Sequence, residues 1–435
     1  MITKENGMRY AKLIHVSVDN GSTGNSNKVY IMEELPDGRI KCEYGRVGKS
    51  LVEEYKPSSK WDSVLKQKLS KTKGYTDVTD LLAEPVIDDS KPLDNKVENI
   101  KDDIVKKLID DLMSFANKSI QRNYKVTQEA VSEQQVRAAQ EIITNISGLI
   151  QIGVDTKHIN DMLLKLYTII PRRMDNVKDH LFRGVDDDSG LTSAQRLIDN
   201  EQSALDTMAG QVELIKQQRD AAKKAAEAEA KGEEEIVEDV TILDQMGLTV
   251  EVENDADTLE LIKKLMGSNV NQIKKVFKVR NNKTQVKFDK NLEKADIKKK
   301  RLYWHGTRNE NMFNLLQTGL LIRPAGAVHT GSMFGDGIYF ADKAQKALGY
   351  SSLRGSYWAK GSANKGYLML FDVHVGKQKE ILHHTSSCYS LSEKVIQKES
   401  YDSIFAKGGA DLKNNEYVIY NVQQCTISHL MELSS

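Results

Sequence analysis

The chain has 435 residues, 39% hydrophobic and 29% charged, with 62 Lys and Arg balancing 62 Asp and Glu. That length exceeds one ordinary core and implies roughly two to four domains, while zero net charge excludes a uniformly cationic protein that coats nucleic acid. Cys42, Cys388 and Cys425 are too few and too dispersed for a disulfide framework or a paired-cysteine zinc site.

No apolar run approaches the roughly 20 residues of a membrane span, and the polar start MITKENGMRY does not read as a signal peptide. A membrane-free protein inside a cell is expected. Neutrality is not uniform, however. Residues 41–75 carry nine Lys or Arg against four Asp or Glu, and residues 271–301 carry twelve against three. A charge run is usually a solvated face, so neighbouring motifs must decide what either stretch does. KKKR at 298–301 has the composition of a nuclear localisation signal and nothing more specific.

In chain order, residues 10–56 alternate as strands do in KVYIMEEL and RIKCEYGRVG, with turn signals at NGSTGN and PDG, and predict a small antiparallel sheet. Trp61, Val64, Leu65 and Leu69 then recur at helical spacing until Gly74 stops the helix. Residues 1–82 are expected to form one compact unit, and the proline- and acid-rich residues 83–96 a linker. Residues 97–235 read as an all-α helical bundle. Ile104, Leu108, Leu112 and Phe115 share one side of IVKKLIDDLMSFA, Val136, Ile143, Ile146 and Ile150 one side of the next helix, and a third ends at Pro171. AAKKAAEAEAKGEEE has strong helix formers but no apolar stripe, which predicts a solvent-exposed extension. Residues 236–435 mix strands and short helices, with GIYFAD, GYLMLFDVHVG and EYVIYNVQQCTISHLMEL as strands. The fold class is therefore multidomain α+β: a small antiparallel sheet, an all-α bundle and a mixed α/β domain.

The chemistry gathers in that last domain. In YWHGTR, His305 offers a ring nitrogen and Gly306 a bare backbone edge to one small polar ligand; the plainer alternative is a strand-to-helix turn. Tyr339 in GIYF fits a buried-strand aromatic equally well, and Glu416 in NNEYVIY a solvent-facing strand start. His383, His384 and Cys388 form the only cluster with a hint of ligand spacing, too weak to predict a metal.

His305, Tyr339 and Glu416, in the settings HGT, MFGDGIYFAD and NEYVIY, resemble the His-Tyr-Glu signature of the poly(ADP-ribose) polymerase family of NAD-dependent ADP-ribosyltransferases. EYGRVG with KLSKTKGY is similar to the DNA-binding WGR module, and QQVRAAQEIITNISGLI with LKLYTIIP resembles the helical regulatory domain of the DNA-break-dependent members, so about four hundred residues are covered in the same order. The resemblance implies a WGR-like domain at 1–82, a helical regulatory domain at 97–235 and an ADP-ribosyltransferase domain at 236–435. It implies NAD+ as substrate, no metal, DNA with strand breaks and protein acceptors including the chain itself as partners, and a nucleus if the source is eukaryotic. In this reading DNA binding loosens the bundle, which otherwise blocks access of NAD+.

The implied roles are specific. His305, Gly306, Thr307, Tyr339 and Tyr350 would bind NAD+: His305 a ribose hydroxyl, the Gly306 backbone the nicotinamide carboxamide, Tyr350 by stacking on the nicotinamide. Glu416 would polarise the acceptor hydroxyl, with His305 and Tyr339 completing the catalytic set. Met333 and Lys346 would contact the acceptor end of a growing polymer, and Tyr44 and Arg46 would bind DNA. Segment 321–336 corresponds to the loop over the NAD+ pocket. Three departures stand out: Ala347 replaces a serine that bonds the carboxamide, Leu321 an arginine with Arg323 as a possible substitute, and Tyr44 the tryptophan that names the WGR module. A mono-ADP-ribosyltransferase and a catalytically weak DNA-end-binding scaffold remain as alternatives. The lack of zinc-finger cysteines points away from the large multi-finger member of the family.

Overall fold

Alternating apolar residues build the first sheet of the computed structural model, which describes residues 2–3, 7–18, 25–82, 97–123, 131–151, 155–182, 197–198, 200–210, 212, 216, 241–322, 333–357 and 359–435. The expected linker at 83–96, the alanine-rich extension and most of the 321–336 loop, Arg323 included, lie outside the described residues. The chain divides into two units: residues 1–92, 119–212 and 326–330 in one, and 93–118, 213–325 and 331–435 in the other.

In the first unit, β1 (Ile2–Thr3), β2 (Arg9–Ser17), β3 (Ser26–Glu34), β4 (Arg39–Arg46) and β5 (Val52–Pro57) run antiparallel in that order, and β6 (Thr76–Asp77) pairs with the far side of β2. Ala11, Leu13, Tyr30, Met32, Ile40 and Cys42 project to one face, where α1 (Trp61–Leu69) covers them with Trp61 and Val64. Leu69, expected in this stripe, is 41% exposed because the helix ends there. The opposite face buries Ile14, Val29, Val47 and Val78.

The helical region contributes α2 (Asp103–Asn123), α3 (Glu133–Gln151), α4 (Thr156–Ile169) and a helical stretch at 200–210. Within the first unit, Ala139, Ile143 and Ile146 of α3 pack on Leu163, Leu166 and Tyr167 of α4 and on Leu205 and Met208. A buried ion pair, Arg172 with Glu201, crosses this core with its guanidinium 4.3 Å from the Tyr167 ring.

Helix α2 departs from the expected division. Its buried stripe is Val105, Leu108, Ile109, Leu112 and Ala116, in one core with Tyr367, Met369 and Phe371, so residues 97–118 belong to the C-terminal unit rather than to a separate bundle. Ile104, expected on that stripe, is 39% exposed. Leu108 and Leu112 are buried as expected, and because one residue turns a helix by about 100°, Val105 rather than Ile104 completes the stripe and Phe115 lies at its margin. Phe115 there meets Tyr367 edge-on at 6.3 Å, and Asp111 pairs with Lys365 at 2.6 Å.

Among its described residues the C-terminal unit holds two sheets. β7 (Leu248–Val252), β8 (Ile273–Asn281), β9 (Lys300–His305), β11 (Lys365–His374) and β15 (Cys425–Ser434) form an antiparallel sheet in the order β7-β8-β15-β11-β9. β10 (Ile338–Phe340), β12 (Gln378–Ile381), β13 (Ser403–Ala406) and β14 (Glu416–Ile419) form the second, ordered β10-β14-β13-β12 with one parallel pair. The continuous apolar run of β11 follows from burial on both faces: Tyr367, Met369 and Phe371 enter one core, Leu368 and Leu370 another. The short α5 (Ile242–Met246), α6 (Ala256–Met266), α7 (Asn282–Lys294) and α8 (Asn309–Thr318) surround the first sheet.

Asn281 joins these parts. Its Oδ1 accepts from Thr284 N at 3.1 Å to cap α7, and its Nδ2 donates to Leu316 O at 2.7 Å and Gln317 O at 3.1 Å at the end of α8, with the residue fully buried. Asn281→Ala removes a cap and strands two buried carbonyls, a loss of about 2 kcal/mol. The calorimetric transition of the C-terminal unit is expected to fall by roughly 4–8 °C; an unchanged midpoint would show that the cap contributes nothing.

Candidate functional site

Strand β9 ends on His305, and the Trp304–Ala341 bridge, with N–H···O contacts of 2.8 and 3.0 Å, ties it to the residue just after β10. β10 pairs in turn with β14, Tyr339 opposite Val418 and Phe340 opposite Tyr417. The backbone ladder therefore brings His305, Tyr339 and Glu416, far apart in sequence, onto neighbouring strand ends.

His305 Nδ1 lies 3.1 Å from Tyr339 O. A carbonyl only accepts, so Nδ1 carries the proton and Nε2 is left as an acceptor. The ring meets the edges of Phe340 and Phe371 at 5.9 and 6.1 Å, and burial holds its pKa below the usual histidine value, so it is neutral near pH 7. Gly306 is required by the chain itself: a Cβ there would stand 1.9 Å from Ala347 O. This close approach, rather than ligand access alone, explains the His-Gly step. Thr307 Oγ1 accepts from Asn311 Nδ2 at 3.1 Å at the start of α8.

Tyr339 is bound into the preceding turn. Its hydroxyl donates to Gly335 O at 2.8 Å and accepts from Phe334 N at 3.0 Å, and burial raises its pKa. Gly335 has φ +75° and would place a Cβ 2.0 Å from Leu391 O, so only glycine fits that turn. The hydroxyl contacts were not legible in GIYF, since nothing in an alternating pattern says which way a tyrosine oxygen turns.

Glu416 begins β14, where Ala406 of β13 is its register partner. Its carboxylate meets Lys346 Nζ of α9 (Ala344–Leu348) at 2.5 Å, with the side chains only 17% and 12% exposed, and Lys346 also donates to Asn415 O at 2.8 Å. Burial raises the Glu416 pKa, opposed by Lys346, while burial lowers that of Lys346, opposed by Glu416. The lysine expected at an acceptor contact is thus the direct partner of the carboxylate. Tyr350 follows α9, and burial with Glu416 nearby pushes its pKa up to about 12, so its ring is neutral. Asp342 supports the same corner, accepting from Asn415 Nδ2 at 2.7 Å and Tyr417 OH at 3.3 Å. Tyr417 stacks between Tyr303 at 4.1 Å and Phe405 at 5.0 Å. Neither Asp342 nor Asn415 was anticipated, although both stand within the quoted MFGDGIYFAD and NNEYVIY.

The remaining expected residues are less engaged. Met333 is half-buried and its carbonyl accepts from His384 Nε2 at 2.7 Å. That bond takes His384 out of the suspected ligand cluster; His383 Nδ1 faces Asp411 at 3.5 Å and Cys388 is buried against Thr385. The Ala347 side chain is buried without a hydroxyl, and Leu321 is 62% exposed.

In the first unit, Tyr44 stacks on Tyr30 at 5.5 Å and 19°, half-buried. Arg46, expected to grip phosphate, does not have its guanidinium free. Nε and Nη2 donate to Met174 O at 3.0 and 2.7 Å, and Nη2 to Asp175 O at 2.8 Å and Asn25 Oδ1 at 3.2 Å. The short EYGRVG pattern could not show carbonyls 128 and 129 residues away.

The profile of the poly(ADP-ribose) polymerase catalytic domain matches residues 257–435. The chain is 32% identical over 163 residues to the poly(ADP-ribose) polymerase-like protein 100L of Invertebrate iridescent virus 6, a match covering 37% of this chain and 85% of that protein. It is 30% identical over 170 residues to poly(ADP-ribose) polymerase 2 of Homo sapiens, 33% of this chain and 28% of that enzyme. With the poly(ADP-ribose) polymerase of Sarcophaga peregrina the match is 25% over 340 residues, 70% of this chain and 31% of that enzyme. Fold and matched domain together define an ADP-ribosyltransferase that uses NAD+ as substrate. The chain belongs to the poly(ADP-ribose) polymerase family.

Two outcomes follow from the geometry. Gly306→Ala forces α9 and β9 apart and is expected to lower NAD+ turnover about 100-fold, the usual effect of a misplacement near 1 Å; unaltered steady-state kinetics would refute the packing argument. Lys346→Met removes the group that, among the described residues, favours the ionised Glu416, so the carboxyl protonates at higher pH and the acid limb of the turnover profile moves upward. A profile that stays in place would separate Glu416 from the limb.

Proposed function

We propose that this chain is a DNA-break-activated poly(ADP-ribose) polymerase that modifies protein acceptors, itself included, and extends the attached chain. The observation that carries the reading is the convergence of His305, Tyr339 and Glu416 on bridged strand ends, with Lys346 against Glu416. Cleaving nicotinamide from its ribose develops oxocarbenium character on the sugar. In this proposal the Gly306 backbone grips the carboxamide, Tyr350 stacks on the ring, and the His305 Nε2 acceptor takes a ribose hydroxyl. Glu416 binds the nicotinamide-ribose hydroxyl and draws the proton from the acceptor hydroxyl. A carboxyl raised by burial is better matched to proton transfer near neutrality than an exposed one. Met333 and Lys346 face the growing polymer, and Lys346 also sets the position of Glu416. Thr307 completes the NAD+ contacts.

Residues 1–82 serve as a WGR-like DNA reader with Tyr44 against a terminal nucleotide and the basic 41–75 stretch along the backbone, which makes binding salt-dependent. The helical region at 97–235 regulates the 236–435 transferase, and a nucleus follows if the source is eukaryotic. No helix among the described residues is long and apolar enough to cross a membrane. Ala347 favours one rival, a weak transferase acting as a DNA-end scaffold, since a missing neutral hydrogen bond costs about 0.5–1.5 kcal/mol of NAD+ binding.

The test is incubation of the full chain with labelled NAD+, with and without a 5′-phosphorylated duplex. A DNA-dependent ladder that Glu416→Gln abolishes is the expected result. A single-unit product would mean mono transfer, and no label with the duplex bound would mean the scaffold. Regulation is tested by a deletion within 131–212 that spares α2, because removal from residue 95 would also strip Val97 to Ala116 from the C-terminal core. DNA-independent activity is expected; continued DNA dependence would sink the gating idea.

A further inference from the structure

We propose that the lysines along one face of α7 form a track that holds the poly(ADP-ribose) chain while it is being extended. The proposal rests on the polymerase reading above and deepens it by naming where the product lies.

Lys283, Lys287, Lys290 and Lys294 follow one another at alternating helical intervals. At about 100° per residue they fall within roughly 60° of one another, in a row about 16 Å long. The other side of the helix fixes its rotation: Phe288 is buried, Thr284 Oγ1 lies 2.9 Å from Thr426 Oγ1, and Asn291 Nδ2 donates to His374 Nδ1 at 3.0 Å. All four lysines are exposed, and among the described residues none has a carboxylate at ion-pair distance. Like charges one helical turn apart repel, so the row weakens its own helix until an outside polyanion covers it.

The shape of the row selects the polyanion. Glu293 and Asp289 stand about 80° and 120° round the helix from it. A duplex would lay its second row of phosphates over those carboxylates, whereas a single strand fits the ridge alone. Phe288, the aromatic residue of α7, is buried, so no ring is offered for stacking bases and phosphate charge is the group recognised. Lysine meets a phosphate as a point charge, without the planar fork that arginine uses. Each ADP-ribose unit brings a diphosphate. The helix also adjoins elements of the transferase: Lys287 lines a small cavity with Gly319 and Leu321, where the loop expected over the NAD+ pocket begins. After α7 the exposed Lys298, Lys299, Lys300 and Arg301 lead into β9, which ends on His305. A chain made by this domain meets the row at a far higher effective concentration than a free strand does.

The experiment measures binding of the full chain to end-labelled poly(ADP-ribose), to single-stranded RNA and to poly-glutamate by fluorescence anisotropy over a salt series, alongside the ladder made from labelled NAD+. Replacing Lys283, Lys287, Lys290 and Lys294 together by Gln should weaken polymer binding at least about tenfold and reduce the salt slope by roughly 3. The ladder should shorten while the initial rate of NAD+ consumption stays native. The corresponding Arg variant keeps both binding and chain length, and an unchanged thermal midpoint separates the loss from unfolding. A Gln variant that binds polymer as the native chain does, that loses only RNA or only poly-glutamate, or that makes a ladder of native length overturns the proposal with the polymerase reading intact. No ladder from the native chain overturns the polymerase reading, and binding of added polymer still decides whether the row is a track.

Discussion

Two opposite charges buried together set the terms for the C-terminal unit. Glu416 and Lys346 are largely withdrawn from water, and desolvation pushes the carboxyl toward its protonated form and the ammonium toward its neutral one. Their 2.5 Å contact opposes both drifts, and it exists only while α9 and the start of β14 keep their spacing. The glycine beside Ala347 O presses α9 against β9, and Asp342 and Asn415 brace the β14 end. A group of residues that looks like a binding site is thus first a device for holding a charge pair in a dry corner.

Other side chains around the corner divide their duties similarly. His305 uses one nitrogen to read the Tyr339 carbonyl and keeps the other as an acceptor of known tautomer. Tyr339 spends its hydroxyl on the Phe334–Gly335 turn, leaving its ring as the available surface. In the proposed transfer these groups would give rigid support to a cationic transition state, in which fixed dipoles act without reorganising.

Much of this could be read in the sequence, and the failures have physical causes. Strand alternation placed the N-terminal sheet, and GYLMLFDVHVG read as a strand, whereas its burial on both faces needed the coordinates. Leu108 and Leu112 of the α2 stripe were placed correctly, but Ile104 was read in place of Val105 because both are apolar, and only the partner surface chooses between them. Membership of α2 in the C-terminal core was invisible for the same reason: an amphipathic pattern says that a face is covered, not by what. Arg46 shows the same limit for charge. Its type and motif suggested phosphate, but the nearest acceptors are peptide carbonyls brought in by the fold. The motifs pointed to Glu416, whereas its direct contact with Lys346 needed coordinates.

The place of α2 also bears on how the chain is made. Val105, Leu108, Ile109 and Leu112 leave the ribosome about 250 residues ahead of Met369 and Phe371, with which they share a core. At roughly 5–20 residues per second that is an interval of some 12–50 s. Throughout it an apolar helical face waits without its native cover, exposed to wrong partners. The C-terminal unit therefore cannot complete its core during the early part of synthesis, and a holding chaperone that shields α2 would raise the yield of folded protein more than one acting on the N-terminal sheet.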